Sequence, residues 1–411
     1  MARVKNPFIT DSIVDGEDYC SRQVLEERIL TKLESGHKLA LIGDRRIGKS
    51  STAHYVIDNM KGTYKVDVDL YHVADAADIA EAIIDACKKV LDEVWDSKKV
   101  LDMAKSVKPK LEVAPDGFSL GFDTRPKEFR KTLNIAFEFL DETIKRTKRK
   151  IVILFDEFQA IKEVKDGDAI LKYMRGKIQK LNRIPIMYVG SIRHEMDSIF
   201  RDQSSPFFKQ TEIIYFEHIE KDIFYQFVSK KFQKKKITIK EVVYGHLYEI
   251  CYGITGDIQQ FCRVAFDSLK ENTTIDFDTF FYVMEIIYKN EFKYFQATIE
   301  GKELTKVQQN FLLQIANAQH QEGTKLFGQE IQKASGVKSP GTLRNAMIAL
   351  EKKGHIYKSE DRYCFSNPFF KEWLLDYKLV IRATAGNLVA GGAIAGTRLD
   401  FGHRERIKKQ Q

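Results

Sequence analysis

Apolar and polar residues follow two different periods through the first half of the chain. Short runs that are wholly apolar or that alternate predict β-strands, and apolar residues spaced three and four apart predict amphipathic helices. The predicted strands cover 38–42, 64–70, 151–156, 184–189 and 213–216, and the predicted helices cover 21–35, about 50–60, about 75–105 and 125–147. This alternation of strands and helices predicts a parallel α/β sheet.

The second half of the chain is mostly helical in pattern. Residues 222–292 show helical spacing with one Gly-rich break at 252–257, which predicts a helical lid after the sheet domain. The segment 304–375 predicts three helices followed by a strand pair, the succession found in winged helices. These helices cover 306–318, 327–335 and 342–353, and the strands cover 355–358 and 363–366.

One segment of the first half has a different composition. Residues 108–123 combine two prolines, an Asp116-Gly117 pair and alternating apolar residues, which predict an inserted β-hairpin. The expected domains are therefore an α/β domain over 1–218 with the insertion at about 108–123, a helical lid over 219–300, a winged helix over 301–379, and a small-residue and basic tail over 380–411.

The first predicted strand runs directly into a GxxxxGK[ST] pattern. The strand before it and the helix after it are the context of a phosphate-binding loop, in which two glycines let successive N–H groups surround an anion. Lys49 is expected to reach the β- and γ-phosphates, and the Ser50 hydroxyl to bind Mg²⁺. The expected nucleotide-binding residues are Gly43, Asp44, Arg45, Arg46, Ile47, Gly48, Lys49, Ser50 and Ser51.

Two acids end the apolar run at 151–155. Acids at the carboxyl end of a buried strand lie where α/β sheets bind their ligands. We expect Asp156 to hold Mg²⁺ together with Ser50, and Glu157 to orient and activate the attacking water. The alternative is a core strand followed by an acidic helix cap. A base at Glu157 predicts hydrolysis as well as binding.

Composition narrows the class of protein. The chain has 411 residues, with 43% hydrophobic and 30% charged residues, and no apolar run long enough to span a membrane. Five scattered cysteines indicate neither a disulfide framework nor a metal framework. Together these features lead us to expect a cytoplasmic protein. The net charge of +8 is a weak indication of an acidic partner such as nucleic acid.

The loop and the acid pair together resemble the archaeal-type ATPase family, a group of AAA+-related STAND P-loop ATPases. Residues 43–50 are similar to its GxRRxGKT/S loop, and residues 155–159, Phe-Asp-Glu-Phe-Gln, to its DEFQ signature. The lead-in Asn-Pro-Phe at 6–8 with 22–26, and the end of the predicted winged helix at 368–374, also match. The resemblance covers roughly residues 6 to 376.

This resemblance implies an ATP-binding switch built from a sheet domain, a helical lid and a winged helix. It implies that ATP lies between the sheet domain and the lid, and that Arg45 and Arg46 line the loop or face a neighbouring subunit. It also implies that Ser191, at the end of its strand, occupies a polar sensor position near the γ-phosphate. A simple strand-end turn is the alternative for Ser191.

The chain departs from the family pattern in two places. Residues 256–259, Gly-Asp-Ile-Gln, stand at the lid position where the family often has Gly-Gly-x-Pro. They are also similar to the GDxR lid motif of replication-initiator ATPases, but with Gln259 at the position of the arginine. Arg263 could take that role one helical turn later. Arg201 and Lys209 lie where a trans-acting arginine finger is expected, and each has the alternative of an ordinary surface charge.

The partner of the winged helix is left open by the sequence. Lys338, Arg344, Lys352 and Lys353 are available for DNA phosphates. The alternative is packing against the ATPase domain itself, a second copy of the chain or a protein partner. We therefore expect a Mg²⁺-dependent ATPase switch. The alternatives are an ATP-regulated DNA-binding protein resembling replication initiators or transposition regulators, and a slow signalling or defence switch acting on a protein.

Overall fold

A computed structural model of the chain describes residues 4–95, 99–100, 112–114, 117–119, 129–191, 193–318, 326–359 and 362–385. The chain forms two compact units, one made of residues 11–218 and the other of the residues before 11 together with those from 219 onward.

The first unit is built on a five-stranded sheet whose strands are all parallel. The order across the sheet is β2-β5-β6-β1-β7. The strands are β1 (Lys38–Ile42), β2 (Thr63–Asp69), β5 (Lys150–Asp156), β6 (Ile186–Gly190) and β7 (Glu212–Tyr215). The parallel α/β sheet expected from the sequence is thus confirmed.

Helices cover both faces of this sheet. They are α1 (Gln23–Glu34), α2 (Lys49–Asp58), α3 (Ala76–Val94), α4 (Phe129–Thr147), α5 (Gly167–Ile178) and α6 (Arg193–Phe200). Successive side chains of a strand point to opposite faces, so Leu39 and Leu41 pack towards α1 and α2. Ala40 and Ile42 pack into the opposite core, which α3, α4 and α5 complete. Burial on both faces explains why the central strands are apolar throughout.

Two local features concern the segment between β2 and β5. The Asp75 side chain accepts hydrogen bonds from two backbone N–H groups and starts α3 in a capping box with Asp78. The predicted helix to about residue 105 is wrong at Trp95, whose extended backbone ends α3 at Val94. Residues 99–100 are helical again, and residues 101–105 lie outside the described residues. Strands β3 (Glu112–Ala114) and β4 (Gly117–Ser119) pair antiparallel where the hairpin is expected, and its Asp116 lies outside the described residues.

The second unit is mainly helical. Its helices are α7 (Lys221–Gln233), α8 (Glu241–Ile250), α9 (Thr255–Ser268), α10 (Phe277–Glu300), α11 (Lys306–Ala318), α12 (Gln329–Ala334), α13 (Pro340–Lys352) and α14 (Pro368–Ala385). Strands β10 (Ile356–Ser359) and β11 (Arg362–Phe365) pair antiparallel after α13. A short parallel pair, β8 (Thr238–Ile239) with β9 (Thr274–Ile275), was not predicted, because two residues are too few to show a period. The tail from residue 386 lies outside the described residues.

A search for membrane-spanning helices among the described residues finds none of sufficient length and apolarity.

The end of β1 requires a glycine for steric reasons. A Cβ at Gly43 would lie 2.6 Å from the carbonyl oxygen of Phe216, which is backbone and cannot rotate away. We expect Gly43→Ala to lower the free energy of unfolding by about 1–3 kcal/mol in urea denaturation. Gly176→Ala on α5 is the matched control, since its Cβ would meet nothing within 4 Å. It should raise stability by about 0.5–1 kcal/mol, because alanine favours a helix. Equal unfolding midpoints for the two variants would contradict this account.

Candidate active site at the carboxyl edge of the sheet

Strand order brings the predicted site residues to one edge. Strand β6 lies between β1 and β5, and the parallel register aligns Ile42 with Gly190. Ser191, which follows β6, therefore lies between the loop after β1 and the two acids after β5. Sequence spacing alone does not reveal this placement, because the three strands are far apart along the chain.

The loop after β1 has the backbone of an anion cradle. Gly48, the N-cap residue of α2, adopts a left-handed conformation with φ 94°, and Arg46 is also left-handed with φ 63°. Ile47 is fully buried and anchors the loop in the core. A turn of this kind, leading into a helix N-terminus, directs backbone N–H groups and the positive end of the helix towards one point.

Lys49 carries a buried positive charge at this loop. Its side chain is 6% exposed, and its ammonium group donates a hydrogen bond to the carbonyl oxygen of Asp44. Burial lowers the pKa of Lys49 to about 8, although the carboxylates of Glu157, Asp156 and Asp44 favour the charged form. The buried ammonium is a partner for a bound anion, and the three carboxylates reduce the net positive charge of the site.

Arg22 supports the loop from behind, a role that sequence reasoning missed. Its guanidinium group donates to the carbonyl oxygens of Ile47 in the loop and Glu217 after β7, and it lies 4.0 Å from the centre of the Phe216 ring. The sequence shows Arg22 only as part of a family motif. An arginine just before a helix shows no period that would assign it to the loop.

Asp156, at the end of β5, is a carboxylate whose ionised form is destabilised. Burial raises its pKa to about 6, and the neighbouring Glu157 charge acts in the same direction. Hydrogen bonds from the Ser50 hydroxyl and the Glu157 backbone N–H oppose this rise. Asp156 and Ser50, the two residues expected to bind a metal, are therefore in direct contact.

Glu157 and Ser191 are also brought together. The Ser191 hydroxyl donates to Glu157 Oε2 at 2.9 Å, and the Arg45 Nε donates to the Ser191 oxygen at 3.4 Å. Ser191 does lie at a strand end, and its hydroxyl also contacts the Glu157 carboxylate. These contacts join the loop, the end of β6 and the end of β5.

The remaining loop residues have structural contacts. Asp44 Oδ2 lies 3.1 Å from Nε2 of His218, and the Ser51 hydroxyl accepts a hydrogen bond from the backbone N–H of Val14 at 3.3 Å. Arg46 is exposed.

The candidate arginines differ in their surroundings. Arg201 donates to the Tyr215 hydroxyl at 2.8 Å, and Lys209 lies 5.3 Å from the centre of the Phe208 ring. In the second unit, Arg263 donates to the Thr10 hydroxyl at 2.7 Å. Gln259, which stands where replication-initiator ATPases have an arginine, has a buried side-chain oxygen. None of these contacts is to a loop or acid residue named above.

Removal of the Asp156 charge is expected to stabilise the folded protein. Because its pKa is raised from 3.8 to about 6, the ionised form is destabilised in the folded state. At pH about 8, Asp156→Asn should raise the free energy of unfolding by up to about 3 kcal/mol. The gain should be complete above pH 6 and disappear as the pH falls towards 3.8. Urea denaturation across pH tests this, with the exposed Asp69→Asn on β2 as control. A gain that persists at the acidic end would contradict the cause given.

No protein-family profile matches the chain, and no curated protein sequence matches it either. Solved structures do resemble it. A Walker-type ATPase of Pyrococcus abyssi is 18% identical, with a TM-score of 0.55, and the match covers 90% of this chain and 99% of that protein. The ORC2 protein of Aeropyrum pernix, solved in ADPNP–ADP complexes, is 12% identical, with a TM-score of 0.52 and coverages of 93% and 99%. The ORC1 protein of the same organism, solved in complex with DNA, is 12% identical, with a TM-score of 0.50 and coverages of 92% and 97%.

At these identities the likeness concerns the fold. It extends over nearly the whole of each chain and includes both units. The chain therefore shares its fold with the Walker-type ATPase and the two ORC proteins.

Proposed function

We propose that the protein binds ATP and hydrolyses it to ADP and phosphate. The observation that supports this most is the convergence of a buried lysine, a hydroxyl–carboxylate pair and a second carboxylate at one edge of the sheet. Lys49, Ser50 and Asp156 have the chemistry to bind the phosphates and their counter-ion, and Glu157 has the chemistry of a base. The ATPases that share the fold, including the ORC2 protein with its bound nucleotides, support the same function.

Each residue has a distinct part in this reaction. The loop N–H groups and the start of α2 hold the phosphates, and the Lys49 ammonium stabilises the negative charge on them. Glu157 accepts the proton of the attacking water as that water bonds to the terminal phosphorus. The bond from phosphorus to the bridging oxygen breaks, and ADP leaves with the electron pair. Ser191 and Arg45 lie on the side of the terminal phosphate in this arrangement.

The donor set at Ser50 and Asp156 fits Mg²⁺. A hydroxyl and a carboxylate in hydrogen-bonding contact are hard oxygen ligands, the kind that Mg²⁺ prefers. Burial also destabilises the ionised form of Asp156. A cation bound there would offset this electrostatic cost. When bound, Mg²⁺ would neutralise charge that develops on the phosphate oxygens.

The proposed roles separate binding from turnover. Lys49→Ala should weaken ATP binding at least roughly 30-fold, because it removes a buried charge partner of the phosphates. Glu157→Gln should leave the Kd for ATP within about 3-fold and lower kcat by about 100-fold or more, since an amide cannot accept the proton. Calorimetric titration and phosphate release measure the two effects, with exposed Lys172→Ala as the control. Turnover of Glu157→Gln at the normal rate would show that the base is another group.

We further propose that β10, β11 and the helices before them form a winged helix that contacts DNA. The specific observation is the exposed face of α13, which presents Thr342, Arg344, Asn345, Ile348 and Lys352, with the half-buried Glu351 at its edge. Basic and amide side chains on one face suit phosphates and base edges. The fold is shared with the ORC1 protein solved in complex with DNA. Lys353 fits this role less well, because its ammonium donates to the Glu303 carbonyl oxygen.

Salt dependence tests the DNA contact. If Lys338 and Arg344 each neutralise a phosphate, replacing both by alanine should reduce the slope of log K against log salt by about 2. Lys289→Ala, an exposed lysine on α10 beside Glu285, is the matched control and should leave the slope unchanged. ATP turnover stimulated by DNA would indicate a DNA-directed ATPase. Slow turnover without retention on DNA at low salt would remove the DNA contact and favour a switch that acts on a protein partner.

A further inference from the structure

We propose that Gln159 is a positioning residue for the Glu157 carboxylate. The inference rests on the proposed ATP hydrolysis and adds a residue to its machinery. Gln159 lies in the short 3-10 helix Phe158–Lys162 that follows β5, and its side chain is 2% exposed. Its amide Nε2 donates a hydrogen bond to Glu157 Oε2. The tight turn after β5 thus brings the Gln159 amide back to the carboxylate of Glu157, two residues earlier in the chain.

Two donors meet at the same carboxylate oxygen. Gln159 approaches Oε2 from the turn after β5, and the Ser191 hydroxyl approaches it from the end of β6 at 2.9 Å. Among the described residues, no hydrogen bond reaches the other oxygen, Oε1. The arrangement anchors one oxygen of the acid and presents Oε1 as the one available to accept a proton from water.

The backbone removes much of the remaining freedom of Glu157. Its φ of 52° and ψ of 42° are left-handed, a conformation that a non-glycine residue adopts only when its surroundings impose it. Its N–H donates to Asp156 Oδ1 at 2.9 Å. Rotation of the side chain is then the main freedom left, and the bonds from Gln159 and Ser191 restrict it. The backbone conformation and the bonds from Gln159 and Ser191 therefore all restrict the direction of this carboxylate.

An amide at this position has a cost that packing alone does not explain. The Gln159 Oε1 atom is buried and has no hydrogen-bond partner among the described residues. It lies against Gly190, where an added Cβ would be 2.5 Å from it. An apolar side chain of similar shape would fill the same space without an unpaired oxygen. The Nε2 bond to Glu157 is what the amide supplies and an apolar side chain does not.

Two replacements of Gln159 test the role. Gln159→Met keeps the length of the side chain without its donor, and Gln159→Leu replaces the amide by a branched apolar side chain that also has no donor. If Gln159 orients the base, both variants should lower kcat about 100-fold, the scale of effect expected from a misplaced reacting group. The Kd for ATP should stay within about 2-fold. Met196→Leu is the packing control, since Met196 also lies against Gly190 but makes no hydrogen bond to Glu157. It should keep the normal kcat.

The decisive measurement combines each variant with Glu157→Gln in single-turnover hydrolysis of labelled ATP. If Gln159 acts through Glu157, replacing it should cause no further loss once Glu157 cannot act as a base. A further loss of similar size in that background, or a loss of ATP binding, would indicate a structural role and overturn the inference. Normal kcat in both Gln159 variants would overturn it as well, while Glu157→Gln remains inactive. Absence of ATP hydrolysis by the unmodified protein would instead contradict the proposed function.

Discussion

The ammonium group of Lys49 carries a positive charge inside the protein, and three nearby carboxylates interact with that charge. Glu157, Asp156 and Asp44 favour its charged form, and burial opposes them. Burial also raises the pKa of Asp156, which means that it destabilises the ionised carboxylate. The attraction between this carboxylate and the Lys49 ammonium reduces the free-energy cost of burying each charge. The sheet edge therefore concentrates charge before any ligand is considered. Much of the architecture, from strand order to the glycine after β1, serves to keep these groups together.

The sequence predicted the sheet well because burial on both faces leaves a strong signal. Strand β5 is apolar from Ile151 to Phe155, which is the pattern expected of a short strand that is buried on both faces. The loop was equally predictable, since Gly43 and Gly48 are required by close approach and by a left-handed backbone. The contact between Ser50 and Asp156 followed once both strands were assigned to one parallel sheet.

Other features depend on tertiary contacts that no local period encodes. The bond from Arg22 to Ile47 joins residues 25 apart and needs the chain before α1 to pass behind the loop. The sequence shows Gln159 only as part of a family motif, because its contact with Glu157 depends on the left-handed backbone of Glu157, which propensity does not predict. The end of α3 at Val94 was missed for a related reason. Its helical pattern continues beyond Trp95, where the extended backbone breaks it.

The grip of Arg22 on the carbonyl oxygen of Ile47 has a consequence for the neighbouring N–H. In a trans peptide the carbonyl and the N–H of one unit point in opposite directions. A carbonyl held towards Arg22 therefore turns the N–H of Gly48 away from that side chain, and it cannot rotate without breaking the bond. The orientation of one peptide dipole in the loop is in this way set in advance, by a side chain that lies on the side of the loop opposite to that N–H.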